Sequence, residues 1–282
     1  MVILLGLAAA VLYGSGDFLG GMATRKAHVL AVLTVAETAA VIAALAATAI
    51  WPGPASLAGL AWGISAGLTG GFGLIIFYVG LATGPMSVVA PVSGLVSTIL
   101  PVAVALAEGE RPGAGVYAGA LLCLVAIVLA SSAGDTSAVA RPGRPGRAIG
   151  YGIASGTLFG LFFLLIRNAG QSGELWPVAA GRIGELAIVL IAAAVLRRGL
   201  LPRGAGGRLM LAAAGAGVID VVANICYVAA TRTGTFGLAV VLASLYPGVT
   251  VLLARAVLGE RLRWVQQAGL ALAAIGILLV AA

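Results

Sequence analysis

Gly109-Glu110-Arg111-Pro112 returns, about 150 residues further on, as Gly259-Glu260-Arg261-Leu262. Each copy stands between two long apolar runs, and the recurrence divides the chain into two related halves. The same shift pairs Gly84 with Gly234 and Leu95 with Leu245. At a slightly smaller shift Leu12-Tyr13-Gly14 matches Leu158-Phe159-Gly160, and Glu37 falls near Glu185. Each identity is weak alone, but their common order is that of a duplicated unit.

What lies between these marks is almost entirely apolar. The 282 residues are 61% hydrophobic and 9% charged, whereas a soluble domain carries roughly 25% charged residues. So few charges cannot cover the surface of a soluble fold of this size; a bilayer removes that requirement. The 42 glycines suit helices that approach closely where no hydrophobic force drives them together. A spanning helix needs about 20 mostly apolar residues. Cutting at charges, prolines and glycine-rich turns gives ten such runs: 2–21, 30–50, 57–80, 85–107, 113–132, 148–167, 176–196, 208–230, 235–257 and 264–281. The expected fold is an all-α polytopic membrane protein of ten transmembrane helices. Its first repeat is 1–132, its basic Pro/Gly linker 133–147 and its second repeat 148–282. Five spans per half is an odd number, so the second half enters the membrane inverted, with a substrate site expected near the midplane between the repeats.

The net charge of +7 sits in short gaps between apolar runs, which speaks for membrane topology and against nucleic-acid binding. The loops after spans one, five, seven and nine hold Arg25, Lys26, Arg141, Arg144, Arg147, Arg197, Arg198 and Arg203 among others. The opposite side holds only Arg111, Arg167 and Arg232. The positive-inside rule therefore places those four loops in the cytoplasm and both termini outside it, with the cell (inner) membrane as the location. Met1 runs straight into apolar sequence without a cationic leader, and residues 2–21 read as the first span. Cys123 and Cys226 lie inside apolar runs and read as small core residues; His28, the sole histidine, reads as a solvated loop residue. No Gly-x-x-x-x-Gly-Lys loop or metal-ligand spacing occurs, so neither a cofactor nor an enzyme active site is expected.

The chain resembles the drug/metabolite transporter superfamily in its EamA-type ten-helix branch. The resemblance rests on Leu12-Tyr13-Gly14-Ser15-Gly16-Asp17-Phe18 in the first run and on the two Gly-Glu-Arg copies. It implies a transporter whose central cavity is lined by helices 1–4 and 6–9, with helices 5 and 10 peripheral. Family members usually keep their termini in the cytoplasm and carry basic residues after helix 2. Here Trp51-Pro52-Gly53-Pro54 has none, and the charges decide the orientation instead.

Candidate site residues follow from the cost of placing charge in hydrocarbon. Asp220, Asn224 and Tyr227 share one face of the eighth run, and Arg182 and Glu185 share one face of the seventh. Counting about 1.5 Å per residue puts Glu185 and Asp220 near the midplane. Glu37 joins from the first half, beside Thr34 and Thr38. Tyr13 and Asp17 come from the first run, while Trp62 and Tyr78 are candidate aromatic walls. Two readings stand side by side: a structural ion-pair network of Arg182 with Glu185 or Asp220, or a site that binds substrate or protons. Arg255 lies near a span end and can snorkel to the interface. Glycine ladders (Gly59, Gly63, Gly67 and Gly71; Gly152, Gly156 and Gly160) read as packing ridges. Pro91, Pro101 and Pro247 are expected to bend the fourth and ninth runs at corresponding positions.

The expected function is secondary transport, in the export direction, of a small polar metabolite such as an amino acid or related amine. Rivals are a drug-like cation, a sugar derivative, and a non-transporting scaffold or receptor. The partners are the lipid bilayer and a small-molecule substrate, with room for coupled protons and for a second copy of the chain.

Overall fold

A computed structural model describes residues 1–84, 86–111, 113–131, 145–171, 175–201, 206–258 and 264–281. Most of the linker, and the second Gly-Glu-Arg copy at 259–261, lie outside the described residues. The helices are α1 (Val2–Thr24), α2 (Val29–Ile50), α3 (Leu57–Thr83), α4 (Met86–Ala107), α5 (Ala114–Ser131), α6 (Pro145–Gln171), α7 (Trp176–Val195), α8 (Gly207–Thr233), α9 (Phe236–Ala243), α10 (Tyr246–Leu258) and α11 (Trp264–Ala281). No strand occurs among the described residues. Seven helices, namely α1–α4 and α6–α8, are long and apolar enough to cross a bilayer among the described residues. The protein is an integral, multi-pass, all-helical membrane protein.

Local chemistry explains the ends. Ser56 accepts a hydrogen bond from the Gly59 N–H at 3.0 Å and caps α3. His28 does the same for α2 through its ring Nδ1, 3.3 Å from the Leu30 nitrogen, so the exposed histidine is a helix cap as well as a loop residue. Its pKa is lowered from the ordinary 6.5 by partial burial and then by Arg198. α6 starts at Pro145, three residues ahead of the expected start; proline is tolerated in a first turn, where its missing N–H has no intrahelical acceptor.

The ninth run differs from expectation. Instead of one helix over 235–257 there are two, broken at Ser244 and Leu245. Pro247 has no N–H to give, and the chain closes the gap with tight turns: Leu245 N to Leu242 O at 3.2 Å and Gly248 N to Leu245 O at 3.0 Å. In α4 the helix runs unbroken past Pro91 and Pro101. The interruption is therefore not matched between the fourth and ninth runs.

Packing is dominated by close backbone approach. α3 packs on α6 and α7, α1 on α8, α9 and α10, α2 on α7 and α8, α4 on α6 and α9, and α5 on α11. A Cβ added at Gly63 or Gly67 would fall on the Pro177 or Gly181 carbonyl of α7, and one at Gly71 would lie 3.1 Å from the Glu185 Cα. The second ladder serves α4: a Cβ at Gly152 would meet Val92 at 2.7 Å, and one at Gly156 the Ser93 carbonyl at 2.6 Å. Both ladders are helix–helix seams. Trp176 donates its indole N–H to the Gly53 carbonyl at 3.1 Å, fastening the α2–α3 loop to the start of α7.

Candidate functional site

The glycine seam between α3 and α7 presses the Arg182 face of α7 inward. There the guanidinium meets carboxylates from three helices. Its Nη1 lies 2.6 Å from Glu185 Oε2 on the same helix and 3.6 Å from Glu37 Oε2 on α2; its Nη2 lies 2.5 Å from Asp220 Oδ2 on α8. Glu37 reaches the cluster because α2 packs on both α7 and α8. Gly217, three residues before Asp220, permits this: a Cβ there would collide with the Ala36 carbonyl. Apart from that longer contact with Arg182, Glu37 Oε2 is fully buried without a hydrogen bond.

A polar chain extends from Asp220. Asn224 donates its side-chain N–H to the Asp220 carbonyl at 3.0 Å and to its carboxylate at 3.4 Å. Tyr13 on α1 donates its hydroxyl to Asn224 Oδ1 at 2.7 Å. Four helices thus contribute to one polar unit, α1, α7 and α8 through hydrogen bonds and α2 through the longer Glu37–Arg182 ion pair.

Access to the unit is lopsided. The side chains of Arg182, Glu37 and Glu185 are 3%, 2% and 6% exposed, whereas Asp220 is 30% exposed. Asp220 lies on the α8 face that carries buried Ala213, Gly217, Asn224 and Tyr227. The opposite face carries Leu211, Val218 and Val222, all exposed. The accessible part of Asp220 therefore looks into the bundle and not toward lipid. Asp17 shares the interior face of α1 with Tyr13 and Gly20 and interacts electrostatically with Asp220. Tyr78 on α3 points at Gly20, where any side chain would strike its hydroxyl, and it senses both Asp17 and Asp220.

Of the residues singled out in the sequence, Arg182, Glu185, Glu37, Asp220, Asn224 and Tyr13 come together, with Asp17 and Tyr78 at the margin. Tyr227 sits beside the unit but turns its hydroxyl to the Phe163 carbonyl at 3.3 Å, its ring packed on Phe163 at 4.8 Å. Trp62 is 40% exposed on α3 and makes no part of the cluster. The side chain of Arg255 lies outside the described residues. A buried polar contact that the sequence reading passed over joins Ser155 of α6 to Ser93 of α4 at 3.1 Å. Its signal was modest: small hydroxyl residues beside the Gly152 and Gly156 seam.

Arg182 and its carboxylates are held among apolar helices, with Glu37 and Glu185 buried beside the guanidinium. Residues 146–282 match the EamA-like transporter family. They form an EamA-like transporter domain. The EamA family falls within the drug/metabolite transporter superfamily, so residues 146–282 are a domain of that transporter type, and three of the cluster residues, Arg182, Glu185 and Asp220, lie inside the matched region. A solved structure described as "Crystal structure of protein" is similar over 99% of this chain and 98% of its own, with a TM-score of 0.75 and 19% sequence identity; the likeness is one of fold. No curated protein matches the chain.

Proposed function

We propose that this EamA-like protein is a secondary transporter that exports small polar metabolites carrying a positive charge, amines or amino acids, by alternating access around the Arg182 cluster. The carrying observation is a buried charge cluster in which, among Arg182 and its three carboxylates, Asp220 is the one with an accessible side chain. Three carboxylates face one guanidinium, and uncompensated charge at membrane depth is expensive. A cationic group of substrate, or a proton, docking at Asp220 would balance the surplus. Arg182 already spends Nη1 on Glu185 and Nη2 on Asp220, so a substrate carboxylate would have to displace one of them. That favours amines within the class and keeps a drug-like cation as the second reading.

Two inverted five-helix repeats, 1–132 and 148–282 around the linker 133–147, make up the transporter in this reading, with ten spans in all. The pattern of helix neighbours supports it. Exchanging the first five helices with the last five, α9 and α10 taken as one, turns α1 on α8 into α6 on α3, α2 on α8 into α7 on α3, and α1 on α9 and α10 into α6 on α4. The pairs α2 with α7 and α5 with α11 map onto themselves. The protein resides in the cell membrane with both termini outside the cytoplasm, in line with the charge distribution of its loops.

The test is uptake of labelled amines and amino acids by proteoliposomes containing the parent protein, Asp220→Asn or Glu185→Gln, each checked for folding and insertion. Transport by the parent that collapses in Asp220→Asn supports the site. Normal rate and normal pH dependence in both variants would make the acids structural and defeat the proposal.

A further inference from the structure

Glu110 is half-buried in the turn between α4 and α5, far in sequence from its partners. Gly109 adopts a φ of +93°, a left-handed turn that favours glycine. Beyond it the chain swings the Glu110 carboxylate onto the first turn of α9. Oε1 accepts from the Phe236 N–H at 2.7 Å and Oε2 from the Gly237 N–H at 3.0 Å. Helix amino termini leave such N–H groups without intrahelical acceptors, and the helix dipole favours an anion there. Thr235, the residue that flanks α9, makes no side-chain cap, so the carboxylate that caps α9 comes from 126 residues away.

Two further contacts join the same corner. Glu108 pairs with Arg167 at the end of α6 at 2.7 Å. The Arg167 guanidinium lies over the Phe236 ring, 4.1 Å from its centroid. Every one of these bonds except the ring contact runs between the α4–α5 turn and the 146–282 region. All lie at the end of the bundle where α4, α6 and α8 finish and α9 begins. The helix so held is short: α9 has eight residues and ends at the Ser244–Leu245 break.

We propose that Glu110, with the Glu108–Arg167 pair, is a latch that holds the transporter closed on the side of its termini, and that release of α9 opens that side. The inference rests on the alternating-access reading, but its test does not need a substrate. In protein whose Cys123 and Cys226 are replaced by alanine, one cysteine is introduced at Ala9. That residue is fully buried in the core cluster that contains Phe236 and Val240, one turn outward from Tyr13. A second protein carries the cysteine at Thr24, at the opposite end of α1. Labelling rates with a membrane-impermeant maleimide are measured in reconstituted vesicles.

With the latch intact, the cysteine at position 9 is expected to label slowly. Glu110→Ala removes both bonds to α9 and should raise that rate at least about tenfold, the shift that one charge-assisted hydrogen bond alone would give, and leave the cysteine at position 24 no faster. Glu110→Gln, which keeps one acceptor, should fall between. Arg167→Gln leaves the cap in place and breaks the Glu108 pair and the ring contact, and it should act in the same direction. It decides the matter if Glu110→Ala does not fold. Unchanged labelling at position 9 in folded variants overturns the latch. So does an equal rise at positions 9 and 24, which is general loosening. Either result leaves the substrate assay above untouched, and absence of transport in that assay leaves the latch measurement standing.

Discussion

Replacing Arg182 by methionine is the sharpest test of the buried cluster. The substitution keeps an unbranched apolar stem, ends short of the guanidinium, and removes the only cation described within reach of Glu185, Glu37 and Asp220. Asp220, 30% exposed, can be solvated in part and contributes little to the cost. Glu185 and Glu37 cannot: their side chains are 6% and 2% exposed, and each would be left without a counter-charge. Orphaning a buried pair costs about 3–5 kcal/mol, roughly a hundred- to several-thousandfold change in the folding equilibrium. Thermal unfolding in detergent, followed by size-exclusion chromatography of the surviving fraction, reads this directly. The decisive comparison is Arg182→Met with Glu185→Gln added. Removing the closest orphaned carboxylate should restore a large share of the loss, because neutral partners of similar shape can replace a buried ion pair at small cost. If Arg182→Met is as stable as the parent, or if the added Glu185→Gln recovers nothing, the cluster is not held together by the charges that meet there.

Other outcomes follow from the same geometry. Tyr13→Phe removes the 2.7 Å bond to Asn224 and should cost about 1 kcal/mol of stability, which the same unfolding assay detects. Gly217→Ala and Gly67→Ala drive a methyl into the Ala36 and Gly181 carbonyls and should lower the folded yield sharply, whereas Gly215→Ala, with nothing within 4 Å, should be neutral or gain up to about 1 kcal/mol from helix propensity. His28, whose folded pKa lies below 6.5, favours the folded state in its neutral form. Its contribution is complete above pH 6.5 and fades as pH falls through the depressed value; His28→Asn, which still caps α2, should flatten that part of the stability–pH profile. A C-terminal reporter that is active only in the cytoplasm should be silent, and activity would reverse the assigned orientation.

Composition and run length alone carried the class of the molecule. A chain with so few charges and so many long apolar runs has no soluble alternative, and helix is the backbone form that satisfies its own hydrogen bonds inside each run. Most helices consequently lie within a few residues of their expected bounds. The ends shifted where proline chemistry acts: α6 begins early at Pro145, and Pro247 divides the ninth run while Pro91 and Pro101 leave α4 whole. A one-dimensional pattern records the missing N–H, but whether a helix breaks depends on what its neighbours offer the freed carbonyls.

The site was legible as faces and not as contacts. Spacing put Arg182 with Glu185, and Asp220 with Asn224, because a helix has a fixed period. That Glu37 meets the same guanidinium, and that Tyr13 closes the chain through Asn224, required α2 and α1 to dock beside α7 and α8. Those dockings are set by carbonyl-to-glycine approaches such as Ala36 on Gly217. Trp62, equally plausible as a wall from its sequence, turned outward. Glu110 shows the limit most clearly. Its motif was visible as a repeat, yet its acceptors are backbone N–H groups 126 and 127 residues away. Every residue but proline carries such a group, so no residue type marks the partner, and tertiary structure alone decides which of them a carboxylate will find.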